Sequence, residues 1–313
     1  MALPMRAFSS TESVASCVIE HPELGVITAW LVRNQVGESP VWHQSEDALF
    51  WIDVRAPQLL RLDTKTALLT RWVLPDVVGA LALAERDTVW LALRHSLVQM
   101  SLQSGLIREL AAVERDVPDN RLNDGKVSPT GRWFVFGSMD DRPHKRATGS
   151  LFCATGAGDI KKLFDGLVVA NGIAWNTEAS EIYFSDSYRG ILMRAAWDES
   201  TGSMGVPVVI CQLNDQLGRP DGACVDATNG YWSAGVSAGV LNHIDRNGTI
   251  RRRIELPCRA PTMCTFGEAD AQTMFVTSLV RTQWDRPGAM DGALLSFQSP
   301  ASGVFSETIR IPG

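Results

Sequence analysis

Helical periodicity is nearly absent from this chain of 313 residues. Apolar residues do not recur at three- and four-residue spacing over any long stretch, which argues against a helical bundle and against alternating strands and helices. No apolar run approaches the ~20 residues of a membrane-spanning helix. Residues 1–20 lack a basic stretch followed by an apolar one, so no secretory leader is read there and a cytoplasmic location is the expectation. Histidines are few, and His21, His43, His95, His144 and His243 fall at no shared position. Neither H-E-x-x-H nor G-x-S-x-G occurs, which disfavours a zincin and a serine hydrolase. A glycine-rich phosphate loop after a strand is missing too. The six cysteines form no C-x-x-C pair, which argues against a zinc knuckle. Several lie in strand-like apolar runs, where a reduced thiol behaves as a small hydrophobe. A Cys258–Cys264 bridge is the one pairing considered, and free thiols are the expectation. The net charge is −6 and no block of like charge is long, so nothing points to nucleic acid as a partner. The oligomeric state is not legible.

What is present is one pattern that returns roughly every 40–50 residues. A small or polar residue is followed four positions later by a large apolar one, then by a turn and an aromatic strand. It runs from Glu38 to Trp42 before Leu49–Asp53, and from Gly79 to Leu83 before Val89–Leu93. It returns from Asn123 to Val127 before Trp133–Phe136, and from Asn171 to Trp175 before Ile182–Ser185. The last two copies run from Asp221 to Val225 before Tyr231–Ala234, and from Thr262 to Phe266 before Met274–Thr277. Short strands repeated at this spacing, with Gly, Asp, Asn, Thr and Ser in the turns, indicate an all-β, six-bladed β-propeller. Residues 25–313 are assigned to it and residues 1–24 to an N-terminal extension docked on the outside. The strand Ile27–Val32 is expected to close the ring by pairing with the final blade, around Leu294–Phe297 and Thr308–Ile311, because closure removes open sheet edges.

Equivalent repeat positions stand at equivalent places around the axis. Glu38, Gly79, Asn123, Asn171, Asp221 and Thr262 therefore form a ring at one end of the central channel. Glycine, threonine and one asparagine need no chemistry there. Glu38, Asn171 and Asp221 would put two carboxylates and an amide oxygen around one point. Close carboxylates repel unless a proton or cation sits between them, and oxygen donors of this kind suit a divalent metal.

The densest polar cluster is Asp119–Lys126, where Arg121 lies two residues before Asn123 on the same side of an extended chain. The plain reading is a polar turn with Asp124-Gly125 as its tip. The alternative uses the guanidinium fork of Arg121 to hold a hydroxylated or anionic group. Asp186 reads as a turn cap or as a residue at the ring's edge. Two polar connections, Asp140–Gly149 and Arg281–Asp291, are long enough to lean over one end. A first strand leading away from the ring and a second leading back would deliver Asp140–Gly149 to the ring end. There it would partly cover the site and select among substrates.

Gly37–Trp42, Asn120–Lys126, Ala170–Trp175 and Arg219–Cys224, in this order, make the chain resemble the SMP-30/gluconolactonase/regucalcin family over roughly residues 28–300. The resemblance implies a six-bladed propeller that hydrolyses sugar-acid lactones with one divalent metal in its channel. It maps metal ligands onto Glu38, Asn171 and Asp221, and substrate-binding residues onto Arg121 and Asn123. The expected activity is opening of an aldonolactone, with the metal as Lewis acid and Asp221 as ligand and general base. Calcium, zinc, manganese and iron(II) all fit three oxygen donors. Two other readings stay open: a metal-binding propeller without turnover, and a hydrolase of esters or phosphotriesters on the same scaffold.

Overall fold

The structure is a computed structural model and describes residues 5–85 and 87–311. Six antiparallel sheets stand around one axis, in an all-β architecture. The innermost strands are Gly37–His43, Val78–Ala84, Asn120–Val127, Ala170–Trp175, Pro220–Val225 and Pro261–Gly267, each beside the next, with the last returning to the first. The six blades begin at the six copies of the sequence repeat. Among the described residues, no helix is long and apolar enough to cross a membrane.

The second strand of each blade explains the apolar character of the repeat. It is sandwiched between neighbouring blades on both faces, so it reads as a continuous run rather than an alternation. All six residues of Ala48–Asp53 are buried, whereas only two of the six in the outer strand Leu68–Val73 are. Trp51, Trp90 and Trp232, one in each of three second strands, are fully buried between sheets. Acidic residues at the ends of these strands tie the blades to their connections. The carboxylate of Asp53 accepts from the amides of Gln35, Val36, Arg55 and Ala56. Asp186 does the same for Val168, Val169, Tyr188 and Arg189, which makes it a turn cap.

The expected closure is found. Gly25–Trp30 pairs with Leu294–Gln298 in the sixth blade, with Trp30 opposite Leu294 and Ile27 opposite Phe297. The segment Thr308–Ile311 departs from expectation. Instead of joining the last blade, it crosses to the second and third: Ile309 bridges Ala84, and the Arg310 amide donates to Gly131 O. Residues 5–21 run along outer edges. Met5–Arg6, Phe8–Ser13 and Ser16–His21 pair with the outer strands of blades two, one and six. Phe8–Ser13 is exposed on both faces and carries no apolar pattern, and Ser16–His21 is at most half-buried on one, so the sequence marks neither as a strand. All six cysteines are free, and Cys264 Sγ faces Cys224 Sγ at 3.4 Å rather than Cys258.

Every innermost strand carries a register shift against its partner at the height of the ring position. Such bulges insert extra residues into one strand and re-aim its side chains. At Gly79 the bulge brings the backbone against its neighbour, and an added Cβ would collide with the Leu122 carbonyl. We expect Gly79→Ala to lower unfolding stability by roughly 1–3 kcal/mol, the range for forced overpacking. A urea melt with an unchanged midpoint would show that these two blades can move apart at no cost.

Candidate active site

The six bulges present their ring residues at one end of the axis. A cavity of about 300 Å³ opens there, lined by Glu38, Arg121, Asn123, Asn171 and Asp221 among others. All five site residues proposed from the sequence thus meet in one place. Gly79 and Thr262 do not line it. Thr262 is structural: its hydroxyl donates to Gly37 O at 2.5 Å and lies 2.9 Å from Thr277 Oγ1. No histidine or cysteine is among the lining residues.

A continuous chain of polar contacts crosses the cavity floor. Arg121 Nη1 donates to Asn123 Oδ1 at 2.7 Å and to Leu122 O at 3.0 Å. Asn123 Nδ2 donates to Ala170 O at 2.8 Å and to Asn171 Oδ1 at 3.2 Å. Asn171 Nδ2 in turn donates to Asp221 Oδ1 at 2.5 Å and to Ser187 Oγ at 2.9 Å. Ser187 Oγ donates to Pro220 O at 2.6 Å. Arg121 is also braced from the mouth, where its Nε lies 3.2 Å from Asp141 Oδ1.

Burial and repulsion from nearby carboxylates dominate the electrostatics of Glu38 and Asp221. Burial, and then the charges of Asp221 and Asp124, hold the Glu38 carboxyl well above its usual range. Burial and then Asp124 push Asp221 up to about 8. Glu38 Oε2 is buried and has no hydrogen-bond partner. An orphaned buried carboxylate oxygen costs free energy that a cation would recover. The donor set fits a hard divalent ion: two carboxylates and an amide, with neither thiol nor imidazole among the lining side chains. A half-turn of the Asn171 amide exchanges oxygen for nitrogen at Asp221.

Asp124 was read from the sequence as the tip of a turn. It is instead the bulge residue of a buried strand, with φ 44°. Its carboxylate accepts from the amides of Gly125 at 2.7 Å and Ile173 at 3.1 Å. It holds two blades in register behind the ring, and burial raises its pKa. A second group of lining residues also escaped the repeat: Arg55, Lys145, Ser187, Tyr188, Arg219 and Arg281. They lie in connections, where the repeat has no fixed length. The Asp140–Gly149 connection does arrive at the ring end, since Trp133–Asp140 runs back along Asn120–Val127 and Lys145 reaches the cavity.

Residues 36–280 match the model of the SMP-30/Gluconolactonase/LRE-like region. The chain belongs to that family. A regucalcin of Xenopus laevis is 32% identical over 249 residues, covering 78% of this chain and 83% of its own. A 6-deoxy-6-sulfogluconolactonase of Pseudomonas putida is 30% identical over 299 residues, covering 95% of each chain. Among solved structures, a calcium-binding regucalcin from Agrobacterium tumefaciens superposes with a TM-score of 0.83 at 26% identity, covering 90% of this chain and 95% of its own.

The raised pKa of Asp221 has a consequence for stability without metal. Between the ordinary carboxyl range and about 8, the native state keeps a proton that the unfolded chain has released. Stability from this group therefore falls as pH rises through that window. We expect Asp221→Asn to raise the thermal midpoint of the chelator-treated protein at pH about 8 and to flatten its pH dependence. An unchanged or lowered midpoint at that pH would show that Asp221 is not held under strain.

Proposed function

We propose that this chain is a divalent-metal-dependent lactonase that opens an aldonolactone to the free acid. The observation that carries this is the orphaned, charge-crowded Glu38–Asp221 pair beside a braced arginine, at the base of a cavity of small-ligand size. The names of two relatives, a sulfogluconolactonase and a regucalcin, support the lactonase assignment. Glu38, Asn171 and Asp221 would hold the cation. When bound, it supplies Lewis acidity toward the ring carbonyl and lowers the pKa of a water.

The chain's own groups do the rest. Asp221 accepts a proton from the water that adds to the carbonyl carbon. It then returns that proton to the ring oxygen as the ring C–O bond breaks, leaving an open-chain hydroxy acid. Arg121 is fixed by Asp141 through Nε and by Asn123 and Leu122 through Nη1, so its Nη2 is the donor left for the substrate. A pre-placed cationic donor stabilises the oxyanion of the tetrahedral intermediate without reorganising at the moment of reaction. Burial lowers the Arg121 pKa to about 10, with Arg55 adding to the effect, and the group stays charged at neutral pH. Asn123 orients Arg121 and lies within reach of a sugar hydroxyl. Met139, just before the Asp140–Gly149 connection, and Lys145 within it wall the cavity and would contact the distal part of the sugar.

Two substitutions test the assignment. Asp221→Ala should abolish lactone turnover and reduce metal content while the circular dichroism spectrum stays native; a fully active, metal-replete variant would remove Asp221 from the site. Arg121→Lys keeps the charge but loses the planar fork. It should cost about 1.5–3 kcal/mol, or roughly ten- to a hundredfold in kcat/KM. Unchanged kinetics would make Arg121 a brace for Asn123 and nothing more. Esters and phosphotriesters turned over faster than any lactone would favour a different hydrolase on the same scaffold.

A further inference from the structure

The charges lining the cavity do not balance for a neutral sugar. Five basic side chains, Arg55, Arg121, Lys145, Arg219 and Arg281, face two carboxylates, Glu38 and Asp221. A divalent cation would cancel those carboxylates without using any of the basic groups. On the side of blades five and six, Arg219 Nε lies 2.7 Å from Asp215, and the Arg281 guanidinium donates to Val236 O at 3.2 Å and stands 5.9 Å from the centre of the Trp284 ring. The other side is different. Arg55, Arg94 and Arg121 converge on the single carboxylate of Asp141, at 2.5, 3.3 and 3.2 Å. Arg94 has Asp76 as a second, looser partner at 3.6 Å. Lys145 stands beside this group with no ion pair among the described residues.

Lys145 is held in place rather than left to wander. Its Nζ donates to Asp140 O at 2.6 Å and to Arg142 O at 3.3 Å, which leaves one of the three ammonium protons for the cavity. The turn that carries it is locked by the buried Asp140 carboxylate. That group accepts from the amides of Arg142 at 3.0 Å and Arg146 at 2.6 Å, and pairs with the Arg142 guanidinium at 2.7 Å. An ammonium kept half-buried and fixed among arginines opposes their charge at a cost, and a bound anion would offset that cost. The oxyanion and the product carboxylate supply one negative charge, which Arg121 matches. Lys145 and the share of Arg55 that Asp141 does not neutralise are left over.

We infer that the substrate brings the missing charge: a sugar-acid lactone bearing a second, permanently ionised group, a phosphate, sulfonate or carboxylate, remote from the ring carbonyl and seated on Lys145 with Arg55 beside it. This rests on the lactonase reading for the reaction but on the cationic wall for the charge, and the two can fail separately.

The test uses the metal-loaded full chain and two matched pairs of probes. The first is gluconolactone and its terminal phosphate ester as substrates. The second is gluconate and its terminal phosphate ester as ligands, followed by calorimetry. We expect the charged member to be favoured about tenfold or more in kcat/KM and in Kd, as for one charge-assisted contact. The preference should shrink as salt is raised. Lys145→Met should bring both ratios toward one. Equal Kd values for the two acids would overturn the inference whatever the turnover, and a full preference retained in Lys145→Met would overturn the assignment to Lys145. Tighter binding of the charged acid with no turnover of either lactone would support the inference and overturn the lactonase reading.

Discussion

The structure depends on one backbone device used six times. Each innermost strand slips register against its neighbour at the height of the ring. A regular strand sends successive side chains to opposite faces, toward one adjoining blade or the other. With an extra residue inserted, the strand bends and one side chain turns out of that alternation. Glu38, Asn171 and Asp221 stand at or beside such slips and line one cavity as a result. The non-glycine residues Ser39 and Asp124 take left-handed φ values of 50° and 44° at the same height. That conformation is uncommon for residues other than glycine, so local backbone strain sits where the ring side chains are presented.

Presenting carboxylates this way is electrostatically costly. Glu38, Asp124 and Asp221 are all held above their ordinary pKa ranges, each mainly by burial. They are not equivalent. Asp124 is satisfied by backbone amides on two blades, so its charge is shared with peptide dipoles and it serves as a strut. Glu38 keeps an orphaned oxygen, and Asp221 is offset by an amide nitrogen and by more distant arginines. The difference separates a structural carboxylate from the two proposed as cation ligands. It also explains how the fold tolerates the ring: the inner strands of the blades pack a large apolar core, and a few poorly satisfied groups at one end subtract from a large stabilising total.

Much of this was legible because the repeat couples fold and site. The apolar second strands gave the blades, and the residue four positions before each Trp42-like anchor gave the ring. Glu38, Asn171, Asp221, Arg121 and Asn123 follow from one period and one set of motifs. What stayed hidden lacks that period. Phe8–Ser13 is exposed at every position and carries no strand pattern, yet it pairs along the whole of Leu68–Val73. Asp124-Gly125 has the composition of a turn, and only its place inside a strand of eight residues shows the bulge. Lys145, Arg219 and Arg281 lie on connections whose lengths differ from blade to blade, so no repeat arithmetic could bring them together.

The two ends of the axis then take different roles for a physical reason. Innermost strands run parallel to one another around the ring, so their starts gather at one end and their finishes at the other. The starting end carries the bulges and the open cavity. At the finishing end the chain's own last residues cross the axis: Gly303 bridges Asp226, Ile309 bridges Ala84, and Ser306 and Glu307 stand against Lys126 and Val127 of the third blade. Lys126 reaches across that end to donate to Ala223 O at 2.5 Å. A propeller closed only by its final blade would leave this end of the channel open to water behind the buried carboxylates. Water there would raise the local dielectric and weaken the interactions among the buried ring groups. Running Thr308–Ile311 to the second and third blades, away from the sixth, therefore covers part of that end of the channel behind the ring.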